Sequence, residues 1–286
     1  MHDIDPSNST SLAVSRKGFV ALSSGAALAG TSLAQASAQS MELGKTHPPL
    51  VPEDDPAIVA AWIPNGDGLP VRTYTARPKV IAATTPGVVI TMHVWGVDTS
   101  MRDFARRLAK AGYIAAIPDL YDGLGAPNGD GLTDYSVFGP FREKIDYPHM
   151  DSQLRGGATW IHSQAQNAKV ATMGFCMGGS ITWHQPVENP GVFSAAAIFY
   201  GNPTFAESHV DQIKIPIFGG FGERDTSIPA DQVRALAAKL TVPTDIKIYA
   251  EAGHAFMDDQ RQSYVPSAAA DAWERLLAFY AKYLSA

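Results

Sequence analysis

The stretch AKVATMGFCMGGS, residues 168–180, decides the fold. A strand-like run ends at Phe175, a helix-like segment begins near Gly178, and Cys176 stands between them. This pattern predicts a nucleophile elbow, a strained turn whose glycines avoid backbone clashes and whose central side chain is exposed at a helix N-terminus. The helix dipole would favour a thiolate there. Because Cys176 is the chain's single cysteine, a buried structural cysteine is the alternative.

Strand-like and helix-like stretches alternate on both sides of the elbow. Helices are expected from the capping cluster Asp98-Thr99-Ser100 to Gly112, and around residues 150–166, 178–187, 229–240 and 267–284. Strands are expected at residues 71–76 (as a half-exposed edge strand), 87–92, 113–117, 170–175, 195–200, 213–218 and 245–249. The alternation predicts one α/β domain with a mostly parallel central sheet and helices on both faces.

Residues 122–148 interrupt the alternation, because they are crowded with Gly, Pro, Asn and Asp and lack clear periodicity. A loop of this length in a compact domain is usually functional or disordered. It follows a strand and would lie over the carboxyl edge of the sheet, where open α/β folds bind ligands. A larger ester admitted by this loop is an alternative substrate, and whether the loop closes over the site as a lid stays open.

The N-terminal segment, residues 1–39, has the features of an export signal. A basic Arg16-Lys17 pair precedes small, weakly apolar residues and two A-x-A sites, at 34–36 and 36–38. The segment is similar to a twin-arginine signal with Lys17 in place of the second arginine, which predicts a periplasmic protein. A disordered tail on a cytoplasmic protein is the alternative. Residues 40–69 are interpreted as an extended lead-in, and residues 70–286 as the folded domain.

Composition excludes several function classes. The net charge of −6 and the lack of a long basic stretch argue against a nucleic-acid partner. The apolar part of the N-terminal segment is too short to span a bilayer. One cysteine excludes an internal disulfide and a cysteine-built zinc site, and the histidines show no metal-ligand spacing with carboxylates. We therefore predict no metal, no membrane span and no nucleic-acid partner, while the oligomeric state stays open.

A cysteine nucleophile needs a base and an orienting acid, which in nucleophile-elbow enzymes follow on loops after later strands, acid first. Asp225 follows the strand-like run IPIFGGFG (215–222), and His254 follows the next one. The backbone N–H groups of Met177 and Val94 are the expected oxyanion donors, from the elbow and from the loop after the strand at 87–92.

The chain resembles the dienelactone hydrolase family of α/β-hydrolases. The resemblance lies in residues 93–123, GFCMGG (174–179), FYGNP (199–203), FGERDTSIP (221–229) and AEAGHAFMD (250–258), and covers roughly residues 70–284. It implies an α/β-hydrolase fold and a Cys176-His254-Asp225 triad without a cofactor. It also implies hydrolysis of esters and lactones, small-molecule substrates, through an acyl-cysteine intermediate. A non-catalytic ligand binder or a thiol redox sensor of the same fold is the alternative function.

Three positions depart from the family pattern. His93 stands where the family has a glutamate that helps to control thiol ionisation, and it could take the thiol proton or hydrogen-bond the substrate. Gly123 and Asp258 stand where the family has arginines that grip the substrate carboxylate. We therefore predict that an anionic dienelactone is a poor substrate, although Arg261 could partly compensate. The side chains expected to contact substrate are His93, Trp95, Tyr121, Tyr200 and Phe256.

Overall fold

The computed structural model describes residues 49–66 and 68–285, and the candidate export signal lies outside these residues. The described chain forms one sheet of eight strands in the order β1-β2-β4-β3-β5-β6-β7-β8. The strands β3 to β8 are parallel, and the first two strands are added antiparallel at one side. The strands are β1 (Ile58–Ile63), β2 (Thr73–Pro78), β3 (Gly87–Thr91), β4 (Ile114–Pro118), β5 (Val170–Phe175), β6 (Ala195–Phe199), β7 (Ile217–Gly222) and β8 (Thr244–Tyr249).

Helices connect the parallel strands and cover the sheet, as expected for an α/β-hydrolase fold. Strands β3 to β7 are buried along their whole length, which is typical of parallel strands with both faces covered. The helices are α1 (Thr99–Lys110), α2 (Gly139–Arg142), α3 (Tyr147–Gln164), α4 (Met177–Thr182), α5 (Gln185–Glu188), α6 (Thr204–Ser208), α7 (Ala230–Ala237) and α8 (Pro266–Leu284), with 3₁₀ turns at Tyr135–Phe138 and Val210–Gln212.

The predicted alternation is confirmed, with corrections at one edge and in one loop. Residues 71–76 were expected to form an edge strand, but β1 pairs outside β2 and is itself the edge. The loop at 122–148 is not wholly irregular, because it contains a 3₁₀ turn, α2 and the first residues of α3. Its Phe138 side chain is fully buried and packs on Tyr121 and Trp95.

The strand predicted at 213–218 is wrong in its boundaries, since β7 spans Ile217–Gly222. The glycines of β7 serve close packing. A Cβ added at Gly220 would lie 2.9 Å from the Phe199 ring, and one at Gly222 would lie 2.5 Å from the Ala252 carbonyl oxygen. These strand positions therefore have no room for a side chain.

The elbow between β5 and α4 is held by close backbone contacts. A Cβ added at Gly178 would lie 2.2 Å from the Thr91 carbonyl oxygen at the end of β3. A Cβ at Gly174 would lie 2.2 Å from the Gly178 carbonyl oxygen. Thr182 Oγ1 donates to that same oxygen at 2.8 Å, which fixes the first turns of α4 over β5. The glycines of the elbow are therefore required by packing between β3, β5 and α4.

We expect Gly178→Ala to destabilise the protein by about 2 kcal/mol, because its methyl group meets two backbone carbonyls that cannot rotate away. Urea unfolding followed by circular dichroism measures this. The matched control is Gly139→Ala at the start of α2, where a Cβ meets open space and the effect should stay within about 1 kcal/mol. Equal stability of the two variants would contradict the packing argument.

Candidate active site

Cys176 lies at the elbow, between the end of β5 and the start of α4. Its backbone has φ 56° and ψ −116°, a left-handed conformation that non-glycine residues adopt rarely and usually at functional sites. The Cys176 N–H donates to the Phe199 carbonyl at 3.1 Å, and the Cys176 carbonyl accepts a hydrogen bond from the Ser180 hydroxyl at 3.2 Å. The side chain is half-buried and unbridged. The predicted elbow is thus present, and Cys176 is not a buried core residue.

His254 and Asp225 come from the loops after β8 and β7 and meet beside Cys176. The imidazole Nδ1 lies 2.7 Å from Asp225 Oδ2, and the Cys176 thiol acts on the same imidazole through its charge and a hydrogen bond. Asp225 Oδ1 accepts the backbone N–H groups of Ser227 and Ile228 at 2.9 and 3.0 Å. The buried carboxylate is therefore fixed by its own loop and orients the imidazole, as the sequence order predicts.

The ionisation of this pair favours thiolate and imidazolium. Burial opposes the charge on Cys176, but the charge and hydrogen bond of His254 outweigh it and lower the pKa of the thiol. Burial likewise opposes the charge on His254, but Cys176 and Asp225 together raise the pKa of the imidazole to about 10. The two shifts have one cause, because each charged group stabilises the other.

The two expected oxyanion donors lie on neighbouring segments. The Met177 N–H donates to the Cys176 sulfur. The Val94 carbonyl accepts the Tyr121 hydroxyl at 3.0 Å, and the same hydroxyl lies 3.8 Å from the Met177 sulfur. Tyr121 therefore ties the loop after β3 to the start of α4, a positioning contact that the sequence did not indicate.

His93 does not face solvent. Its Nε2 lies 2.9 Å from Asp98 Oδ1, an ion pair without good hydrogen-bond alignment, and its Nδ1 lies 3.9 Å from Asp258 Oδ2. Arg261 lies 3.5 Å from each carboxylate and stacks on Trp95, with its guanidinium carbon 3.9 Å from the ring centroid. These residues form a buried charged cluster that the sequence analysis missed.

Two of these groups also have roles in local structure. Asp98 caps α1 by accepting the Met101 N–H at 3.1 Å, which the capping pattern predicted. Asp258 accepts the Ser100 hydroxyl at 2.7 Å and the Gln260 N–H at 3.1 Å. Ser100 and Asp258 are 158 residues apart, so no local pattern could have connected them.

The four aromatic residues expected at the site are all buried, at 5% exposure or less. Tyr200, with φ 39°, contacts the His254 ring at 5.1 Å between centroids. Phe256 packs between Tyr200 and Tyr249, so it supports the site from the core. Trp95 and Tyr121 line a cleft of 610 Å³, together with Gly123 and mostly polar side chains. Cys176 is not among the residues that line this cleft.

Among residues 49–66 and 68–285, no group of three or more His, Cys, Asp or Glu side chains is arranged to hold a metal ion. Over the same residues, none of the helices combines the length and the apolar character that crossing a membrane would need.

Comparisons with known proteins identify the relatives of this chain. The profile of the "Dienelactone hydrolase family" matches residues 71–284. A protein of Salmonella typhimurium named "Putative carboxymethylenebutenolidase" is 32% identical over 252 residues, which are 82% of this chain and 92% of the relative. One of the same name from Escherichia coli strain K12 is 34% identical over 82% of this chain and 91% of the relative.

A solved structure also matches. The crystal structure titled "Putative Dienelactone Hydrolase" from Klebsiella pneumoniae is similar with a TM-score of 0.68 and 30% identity. The similarity covers 79% of this chain and 100% of that one. The chain therefore belongs to the dienelactone hydrolase family of hydrolases.

Proposed function

We propose that this protein hydrolyses a carboxylic ester or lactone through an acyl-cysteine intermediate on Cys176. The observation that carries the proposal is the position of His254, whose Nδ1 lies 2.7 Å from Asp225 and whose charge lowers the pKa of the Cys176 thiol. A nucleophile, a base and an orienting acid in contact are the minimum set for covalent acyl transfer. A redox sensor or a ligand binder has no need of the histidine and the aspartate.

In the first step the Cys176 sulfur attacks the ester carbonyl carbon and forms an S–C bond. The C–O bond to the leaving group then breaks, and the His254 imidazolium donates its proton to the departing oxygen. Asp225 stabilises the imidazolium before this transfer and keeps the ring in position. The products are an acyl-thioester on Cys176, the free alcohol and a neutral His254.

In the second step a water molecule attacks the thioester carbonyl, and neutral His254 takes its proton. The S–C bond breaks, the carboxylic acid leaves, and the thiolate–imidazolium pair is restored. Thiolate is a better leaving group than an amine, so an amide substrate would tend to expel sulfur and revert. This chemistry favours esters, lactones or thioesters over peptides.

The N–H groups of Met177 and Val94 are the proposed oxyanion donors in both steps. The Met177 N–H acts on the Cys176 sulfur and lowers the pKa of the thiol, which supports its assignment as a donor beside the reacting carbon. Tyr121 supports the Val94 position, because its hydroxyl holds the Val94 carbonyl and so fixes the orientation of the loop. Removal of one such donor typically costs about 2.7–4 kcal/mol of transition-state stabilisation.

The substrate is proposed to be neutral near the scissile bond. Gly123 offers no charge, and Asp258 is a buried acid. Arg261 is only 4% exposed, and its guanidinium is used by Asp98, Asp258 and the Leu132 carbonyl, to which it donates at 3.0 Å. A guanidinium so engaged has little capacity to bind a substrate carboxylate, which supports the exclusion of anionic dienelactones.

We expect His254→Ala and Cys176→Ala each to lower kcat/KM for p-nitrophenyl acetate by on the order of 10⁴-fold, because removing one member disables the unit. The assay is release of p-nitrophenolate at pH 7.5. The control is His162→Ala on the exposed side of α3, which should keep full activity. A Cys176→Ala variant that hydrolyses the ester as fast as wild type would refute the acyl-cysteine route.

We also expect a preference for neutral over anionic esters. Dimethyl succinate and monomethyl succinate share the scissile bond and differ by one carboxylate, so their kcat/KM ratio isolates the charge. A neutral-ester preference of about tenfold or more is expected, since a charge-assisted hydrogen bond contributes about 1.5–3 kcal/mol. A preference for the monoester would show that a cation of the site, such as Arg261, binds the substrate carboxylate.

A further inference from the structure

His93 and Cys176 follow the ends of two neighbouring parallel strands at the carboxyl edge of the sheet, and the charge of His93 acts on the Cys176 sulfur. Thr91, the last residue of β3, pairs in register with Gly174 of the parallel strand β5. His93 and Cys176 each follow by two residues, and neighbouring strands lie about 4.8 Å apart. Gly178 of α4 packs directly against the Thr91 and Met92 carbonyls, so the start of α4 lies close to the end of β3. The thiol therefore has a second histidine beside it, which the acyl-transfer steps do not use.

The surroundings of His93 require a positive charge. Its side chain is 7% exposed, and its two ring nitrogens face two carboxylates, Asp98 and Asp258. Arg261 is the guanidinium that contacts both acids. Arg102 also acts on Asp98, but it is paired with Asp130 and Glu53. Two buried carboxylates with one guanidinium of their own leave one negative charge to be compensated, and buried charges are stable only when paired. An imidazolium at His93 supplies that second positive charge.

The proton of this cluster belongs on His93 and not on an aspartate. Imidazole has an ordinary pKa of about 6.5 against about 3.9 for an aspartic acid. Burial opposes the charge of His93, but the attraction of Asp98 and Asp258 outweighs it and raises the pKa of His93. Burial also raises the pKa of Asp258; His93 opposes this rise, and Asp98 adds to it. Asp98, which caps α1, is the carboxylate nearest to the ring.

We propose that His93 is an imidazolium held between Asp98 and Asp258, and that its positive charge keeps the Cys176 sulfur as a thiolate in the resting protein. His93 is thus a positioning residue that acts on the nucleophile electrostatically and does not touch the substrate. The inference deepens the proposed function, on which it rests for the role of the thiolate.

The groups that face Cys176 support this assignment. The cationic side chains that act on the sulfur are His254 first and His93 second, and both lower the pKa of the thiol. The other titratable neighbours are Tyr121 and Tyr200, whose pKa values burial raises, so both stay neutral. Hydrolysis takes the proton of His254 in the first step, so His93 is the cation that persists beside the sulfur throughout the cycle.

The test is the pH dependence of Cys176 alkylation by iodoacetamide in wild type and His93→Gln. The rate follows the thiolate fraction, which falls tenfold for each pH unit below the thiol pKa. We expect His93→Gln to move this pH profile upward by about one unit, so that alkylation near pH 6 is about tenfold slower while the plateau at high pH is kept. His162→Gln, an exposed histidine of α3, is the matched control and should give the wild-type profile.

An unchanged alkylation profile in a folded His93→Gln protein would overturn the proposal. If that variant does not fold, ¹⁵N-histidine spectra of Cys176→Ser at pH 8 decide. Without the thiolate His254 should be neutral, whereas His93 should remain an imidazolium because its carboxylates are still present. If the Cys176→Ser spectrum at pH 8 shows no imidazolium, His93 is neutral and the proposal is overturned.

The alkylation test is independent of the proposed hydrolysis, because iodoacetamide needs no ester substrate and no turnover. Failure of the proposed function would appear as absent ester hydrolysis by wild type with the His93-dependent profile intact. Failure of the inference would appear as normal ester hydrolysis by wild type together with the same pH profile of alkylation in wild type and His93→Gln.

Discussion

The contact on which the site depends is the backbone approach of Gly178 to the end of β3. Without a side chain at Gly178, the first turn of α4 lies directly against the Thr91 and Met92 carbonyls. This approach imposes the positive φ of Cys176 and places its sulfur next to the Met177 N–H. It also brings the loop after β3, with His93 and Val94, to the same edge. The local strain of one residue is held by packing across three elements.

Electrostatics then determines what the elbow can do. A thiol half-removed from water would normally hold its proton, because burial disfavours the charged form. Here two histidines oppose that tendency, each with its own carboxylate support: Asp225 for His254, and Asp98 with Asp258 for His93. The site therefore consists of two acid–imidazole units that meet at one sulfur. In the proposed mechanism the His254 unit transfers protons, and the His93 unit holds a fixed charge.

The fold and the proposed triad were predictable from the sequence because their signals are local and ordered. The elbow needs glycines at fixed spacing around Cys176, and Asp225 and His254 each follow a strand-like run. By contrast β1 was missed, because only one of its residues is fully buried and its alternation is weak. Its presence turned β2 from an edge strand into an interior one.

The charged cluster could not be predicted for a different reason. Asp98 and Arg261 are 163 residues apart, and Asp98 had a sufficient local explanation as a helix cap. Trp95 and Phe256 were assigned to a substrate pocket by type; Trp95 lines the cleft and stacks on Arg261, while Phe256 packs in the core. No sequence pattern distinguishes aromatic residues that line a substrate pocket from aromatic residues that pack behind it.

The measurement that tests the account most directly is acid-quench trapping of the acyl-enzyme during ester turnover. The protein is mixed with a slow neutral ester, quenched in acid within the first turnovers, and examined by intact mass and by peptide mapping. The account predicts one added acyl group on the peptide that contains Cys176, absent from Cys176→Ala. Turnover with no adduct, or with the acyl group on another residue such as Ser180, would contradict it.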